Sequence, residues 1–163
     1  MEKVYGANER HDQLIVFQKS NKATLIYGYG EEEGQGYDLR HTFDHIPTKV
    51  EVRDILYAHI NAETDLAILS GHIFEGHQVW LSTENQFNYK AAYDLALQTG
   101  GATLPITAKL GNDDAPYYRV FNNIEDFAAF YIGAVQYIQQ TLGQGWQLKS
   151  EAALWVDSLI ILD

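Results

Sequence analysis

The chain has 163 residues, 46% of them hydrophobic, with 11 Lys+Arg against 22 Asp+Glu for a formal net charge of −11, and it contains no cysteine. A chain of this length buries roughly 70% of its unfolded surface, so one self-sufficient core is expected, and the apolar share excludes a disordered chain. The absence of cysteine excludes disulfides and thiolate chemistry, and the acidity opposes binding to phosphate backbones.

The charge is uneven along the chain, with eight acids and five bases before Thr48 and 14 acids and six bases from there on. No segment makes a basic stripe, so no nucleic-acid partner is expected. The opening MEKVYGANERHDQ has no apolar stretch behind Lys3. That predicts a chain not secreted by a signal peptide. No apolar run approaches the ~20 residues that span a bilayer, so no membrane partner is expected either.

Gln13 to Gln18 and Ala23 to Tyr29 are β-branched and aromatic runs separated by KSNK, which predicts an antiparallel hairpin. GEEEGQG (30–36) reads as an exposed loop, and Tyr37 to Phe43 alternates with the period of a half-buried strand. Pro47 ends that segment, and Thr48 with Glu51 forms a capping box that opens a first helix. Val52, Ile55, Leu56, His59 and Ile60 make its apolar stripe, and 61–65 is expected to end or bend it. His-Ile-Phe and Gln-Val-Trp-Leu flank Glu75-Gly76, the pattern of a tight hairpin. Ser82 then caps a second helix over 83–99, stopped by Gly100-Gly101, with Tyr89, Ala92, Tyr93, Ala96 and Leu97 as its stripe, widened by Phe87, Ala91 and Leu95.

Thr103 to Leu110 and Tyr117 to Phe121 are two more strands joined by GNDDAP, and Pro105, which lacks a backbone donor, belongs on an edge strand or at the start of the first. Asn122 or Asn123 caps a third helix expected to end at Gly143, with Gly143 and Gly145 as breakers and a last short helix over 147–156. SLIILD reads as a strand added to a sheet edge or as a sticky tail docked on another chain. The fold class is therefore α+β, with an N-terminal antiparallel β-sheet, a central helix–β-hairpin–helix unit and a long C-terminal helix. A β-rich region at 1–47 and an α+β domain at 48–163 are expected to form one compact unit.

No residue pattern carries a recognisable reaction. GYGEEEGQG lacks the strand–GxGxxG–helix setting of a phosphate cradle, and its glutamates repel a pyrophosphate. GNDDAP lacks the spaced oxygens of a calcium loop. There is no GxSxG, HExxH or P-loop. His41 with His45, and His72 with His77 across the hairpin turn, are the only histidine pairs to weigh as metal ligands, and neither supplies the three or four ligands zinc needs. No enzyme, no metal and no cofactor are expected. Tyr27, Tyr29 and Tyr37 around the acidic loop present aromatic faces suited to a sugar or a partner protein. Asn85, Gln86 and Asn88 are either caps of the second helix or a polar contact set.

From about Thr64 to Glu151 the chain resembles a domain of unknown function found in tailed-phage and prophage proteins, such as small prophage proteins of gut Bacteroidetes. The residues that carry the resemblance are Ile68 to Gly71, Gly76, Leu81-Ser82, Glu84-Asn85-Gln86, Asn88, and Gly145-Trp146 with Lys149. It covers roughly half the chain, and such domains occur beside tail-fibre and baseplate genes. The resemblance implies a non-enzymatic tail- or baseplate-associated component, or a tail-fibre assembly factor, residing in the bacterial host cytoplasm and/or the virion, whose partner is a tail protein or a second copy of itself. A carbohydrate or small-ligand module using Tyr29, Tyr37 and Trp80 is the second expectation, and a small enzyme with an unrecognised site the third. The expected partner-binding residues are Tyr29, Tyr37, Trp80, Asn85, Gln86 and Asn88.

Overall fold

The structure, a computed structural model, describes residues 1–161. It is α+β, with an N-terminal antiparallel sheet, a helix–hairpin–helix stretch and a long C-terminal helix, as the patterning predicts. The chain divides into two compact units, one of Met1–Ile60 with the chain from Leu148 onward, the other of Asn61–Gln147. This differs from a division at residue 47, because the two longest helices each contribute residues to both units.

The first unit carries a four-stranded antiparallel sheet in the order β1-β4-β3-β2, from β1 (Glu2–Tyr5), β2 (Gln13–Phe17), β3 (Lys22–Glu32) and β4 (Gln35–Phe43). The predicted hairpin is present as β2 and β3, while β1 carries too little apolar signal to be read from sequence. The expected 30–36 loop is mostly strand. β3 and β4 continue to Glu32 and from Gln35, and the reversal is left to Glu33 and Gly34, both at positive φ, the geometry of a two-residue turn that matches strand twist. On the covered face Ala23, Leu25 and Tyr27 alternate along β3, and Phe43 lies opposite Ala23. They pack with Val52, Leu56 and Ile60 of α1 (Lys49–Ser70) and with Ala152 and Val156 of α3 (Ile124–Ser158). The capping box forms as expected: Glu51 Oε2 accepts from the Thr48 N–H at 2.8 Å, and Thr48 Oγ1 accepts from the Glu51 N–H at 3.3 Å.

The second unit holds the rest of α1, the hairpin β5 (His72–Phe74) and β6 (His77–Val79), α2 (Thr83–Gln98), the hairpin β7 (Ile106–Gly111) and β8 (Pro116–Phe121), and the first part of α3. Its core is aromatic. Phe121 lies 5.2 Å from both Phe127 and Phe130, and Phe74 meets Phe130 edge-on at 5.1 Å. Val79, Leu81 and Leu110 complete it. Glu75, at the β5–β6 turn, receives a two-pronged bond from Arg119 of β8 at 2.8 and 3.1 Å.

Three expectations about helices are corrected. α1 continues through 61–65 to Ser70, a stretch without Gly or Pro whose far end accepts a hydrogen bond at the Ala67 carbonyl from the Tyr137 hydroxyl, 2.8 Å away. α3 runs unbroken through Gly143 and Gly145 to Ser158, so the separate helix at 147–156 is part of it. A helical glycine costs only about 1 kcal/mol against alanine, and Gly145 is where Thr64 of α1 comes close: a Cβ there would lie 2.6 Å from Thr64 Oγ1. A glycine there leaves room for that approach without ending the helix. Finally, Leu97 is not part of a buried stripe on α2, and Phe87, Ala91 and Leu95 do not widen one; all four are exposed, and Ala96 is its buried residue. Of the two expectations for SLIILD, a strand or a docked tail, the strand is absent over the described part, where Ser158 is helical and 159–161 are irregular; Leu162 and Asp163 lie outside the described residues.

Candidate binding cleft

α2 begins at the cleft because three local bonds fix its first turn. Ser82 caps it, its hydroxyl accepting from the Asn85 N–H at 3.2 Å. The Asn85 side chain turns back and donates to the Trp80 carbonyl at 2.8 Å, and the Gln86 side chain donates to the Leu81 carbonyl at 2.7 Å. These amides therefore serve first as ties between β6 and α2. Beyond the ties, Asn85, Asn88, Tyr89 and Ala92 fall at i, i+3, i+4 and i+7, one face of the helix, and that face forms a wall of a cleft of about 700 Å³.

Gln78 and Trp80 line one end of the cleft, and the facing wall is β7 with the turn that follows it. Trp80 is 47% exposed, so its ring is available to a ligand while remaining anchored in the chain. Asn88 is exposed and its side chain makes no hydrogen bond to the described residues, which leaves both ends of its amide to a ligand. Three titratable groups line the cleft. Lys109 pairs with Asp113 at 2.5 Å, and the shared hydrogen bond raises the lysine pKa and lowers that of the carboxyl. Burial pushes the Tyr89 phenol up, so it is a neutral donor at ordinary pH. The cleft offers amides, a hydroxyl, an indole face and one self-compensated ion pair. These groups can hydrogen-bond to a ligand and stack against it.

Of the six residues expected to contact a partner, Trp80, Asn85 and Asn88 meet here. Gln86 faces a neighbouring apolar groove of about 230 Å³, with Phe87, Tyr131, Val135 and Ile138. Tyr29 and Tyr37 belong to the first unit, where each covers a glycine of the adjacent strand. A Cβ on Gly30 would lie 2.4 Å from the Tyr37 ring, and one on Gly36 would lie 2.8 Å from the Tyr29 hydroxyl. Tyr37 also meets Tyr5 edge-on at 5.8 Å, with Lys3 Nζ 4.7 Å from its ring centre.

His72 and His77 are not cross-strand partners: His72 lies opposite Val79 and His77 opposite Phe74. His77 instead stacks on Tyr117 at 3.9 Å. Among the described residues no three His, Asp or Glu side chains gather as metal ligands. The β7 residues, Lys109 and Asp113 were not anticipated as site residues. Pro105, expected on an edge strand or at a strand's start, lies immediately before β7, and in a two-stranded sheet both strands are edges, so no sequence signal singled these residues out. No protein-family model, no curated protein and no solved structure matches the chain.

Proposed function

We propose that the chain is a non-enzymatic binding protein that acts through protein–protein contacts at the cleft of its second unit, as a tail- or baseplate-associated phage component or a tail-fibre assembly factor. One observation carries the binding reading: Trp80, Asn85 and Asn88, from a single short block of sequence, converge on a cleft whose ionisable groups neutralise each other. The resemblance of residues 64–151 to a phage-associated domain supplies the tail context. Half-exposed Trp80 beside amides also suits a sugar ring, which makes a carbohydrate module the second reading.

The test is mass spectrometry of purified phage particles together with deletion of the coding sequence. A component is found in the particles. An assembly factor is missing from them, yet its deletion leaves tails without fibres. A chain absent from particles whose deletion leaves tails intact overturns the proposal. A saturable glycan-array signal lost in Trp80→Ala replaces it with the carbohydrate reading.

A further inference from the structure

We propose that the cleft takes an extended segment of its partner polypeptide as an added strand on the free edge of β7, and that this segment carries uncharged, alternating side chains flanked by Lys or Arg. The inference rests on the binding reading of the same cleft and adds the mode and chemistry of recognition.

β7 is hydrogen-bonded to β8 alone, with Ile106 opposite Phe121 through to Gly111 opposite Pro116. At its other edge no strand is hydrogen-bonded among the described residues, although β6 runs close to β7. The lining of the cleft shows where that edge lies. Ile106, Thr107, Ala108 and Lys109 all line it, although successive side chains of a strand point to opposite faces. The edge of β7 therefore borders the cleft, exposed at Thr107 and Lys109 and closed at Ala108. Unpaired strand edges are the template that extended peptides complete, with main-chain bonds giving affinity and alternate side chains giving specificity. The six residues of β7 offer a track about 20 Å long. The α2 face opposite, with Asn88 uncommitted, supplies amides for the incoming segment's outer edge. A sugar would use Trp80 and the amides but would leave the β7 edge unpaired, so the polypeptide is the better fit.

Charge fixes the flanks. Between Asn61 and Gln147 there are nine acids and three bases. Each of those bases is held by an acid of the same unit: Lys90 by Asp94, Lys109 by Asp113 and Arg119 by Glu75. The surplus is negative outside the cleft and nearly neutral within it. A segment with uncharged residues in the track and cationic residues beyond it matches that pattern and is steered to it.

The test pans a random peptide library on the full-length protein, then compares an enriched peptide with the same peptide N-methylated at alternate residues. N-methylation removes donors from the added strand and leaves the protein unaltered. Methylation in the register that faces β7 is expected to weaken binding about tenfold or more, as unsatisfied main-chain groups are left in the cleft. Amides of β7 are expected to gain protection from hydrogen exchange when the unmodified peptide binds. The strand is overturned if no peptide is enriched, if methylation in both registers is tolerated, or if β7 gains no protection. Binding only of oligosaccharides also overturns it. A chain present in particles whose peptides tolerate methylation keeps the proposed function and loses the strand; methylation-sensitive binding without any tail phenotype does the reverse.

Discussion

His72 is a buried imidazole whose Nε2 meets no hydrogen-bond partner, and burial lowers its pKa below the usual 6.5. Its ring lies 5.0 Å from that of Tyr137, so it is held as a flat, neutral wedge. In the unfolded chain the group takes up a proton as pH falls through about 6.5, whereas the folded chain resists doing so. Its contribution to stability is therefore complete above about pH 6.5 and is lost as pH falls through the depressed folded value. Urea midpoints of the wild type at about pH 7.5 and about pH 5.5 should differ by more than those of His72→Phe, which has no proton to gain. Equal pH dependence in the two proteins would sink the assignment. Glycine positions give a pair of effects opposite in sign. Gly145→Ala drives a methyl into Thr64, whose Oγ1 and Cγ2 would lie at 2.6 and 3.1 Å, and should cost about 1–3 kcal/mol in urea unfolding. Gly143→Ala meets nothing within 4 Å and should gain roughly 0.5–1 kcal/mol from helix propensity.

At the scale of elements, the Ser82 cap positions the cleft wall. Ser82→Ala should cost about 1 kcal/mol and raise hydrogen exchange in the first turn of α2; unchanged exchange there would show that the Asn85 and Gln86 ties suffice without the cap. Elements set by adjacent residues were legible in the sequence. Glu75 and Gly76 adopt the positive φ that a two-residue hairpin requires, and the capping box at Thr48 and the strand-start signal at Pro105 are equally local. What was not legible depends on neighbours distant in sequence. Gly145 looked like a breaker because its partner, Thr64, lies on another helix. Phe87 looked like core because helical period gives a stripe and not its width; it is 69% exposed. The cleft was half legible for the same reason. Trp80, Asn85 and Asn88 come from one block, whereas Lys109 and Asp113 reach it from a strand and the turn after it, whose position only the fold supplies.

At the scale of the whole molecule, the two units differ in how the chain builds them. The second is one contiguous stretch, Asn61–Gln147, with its own buried aromatic core. The first needs both ends of the chain. Ala152 and Val156 are fully buried against Leu25, Val52 and Leu56, and Trp155 meets Tyr27 at 5.3 Å. Asp157 accepts from Arg53 through its carboxylate and from Lys49 through its carbonyl, each at 2.7 Å. A fragment of residues 61–147 should therefore fold alone, with a cooperative urea transition and near-ultraviolet circular dichroism from its packed aromatics, because no part of its core lies elsewhere in the chain. A fragment of residues 1–60 should stay unfolded, since removing Ala152, Trp155 and Val156 uncovers one face of its sheet and helix, a loss of several kcal/mol for a small domain. Adding a peptide spanning 148–161 should restore its sheet. Fragment 61–147 should also keep the cleft, because every lining residue falls between Gln78 and Asp113. A non-cooperative melt of that fragment, or a folded 1–60, would show that the two cores are not self-sufficient in the way their composition implies.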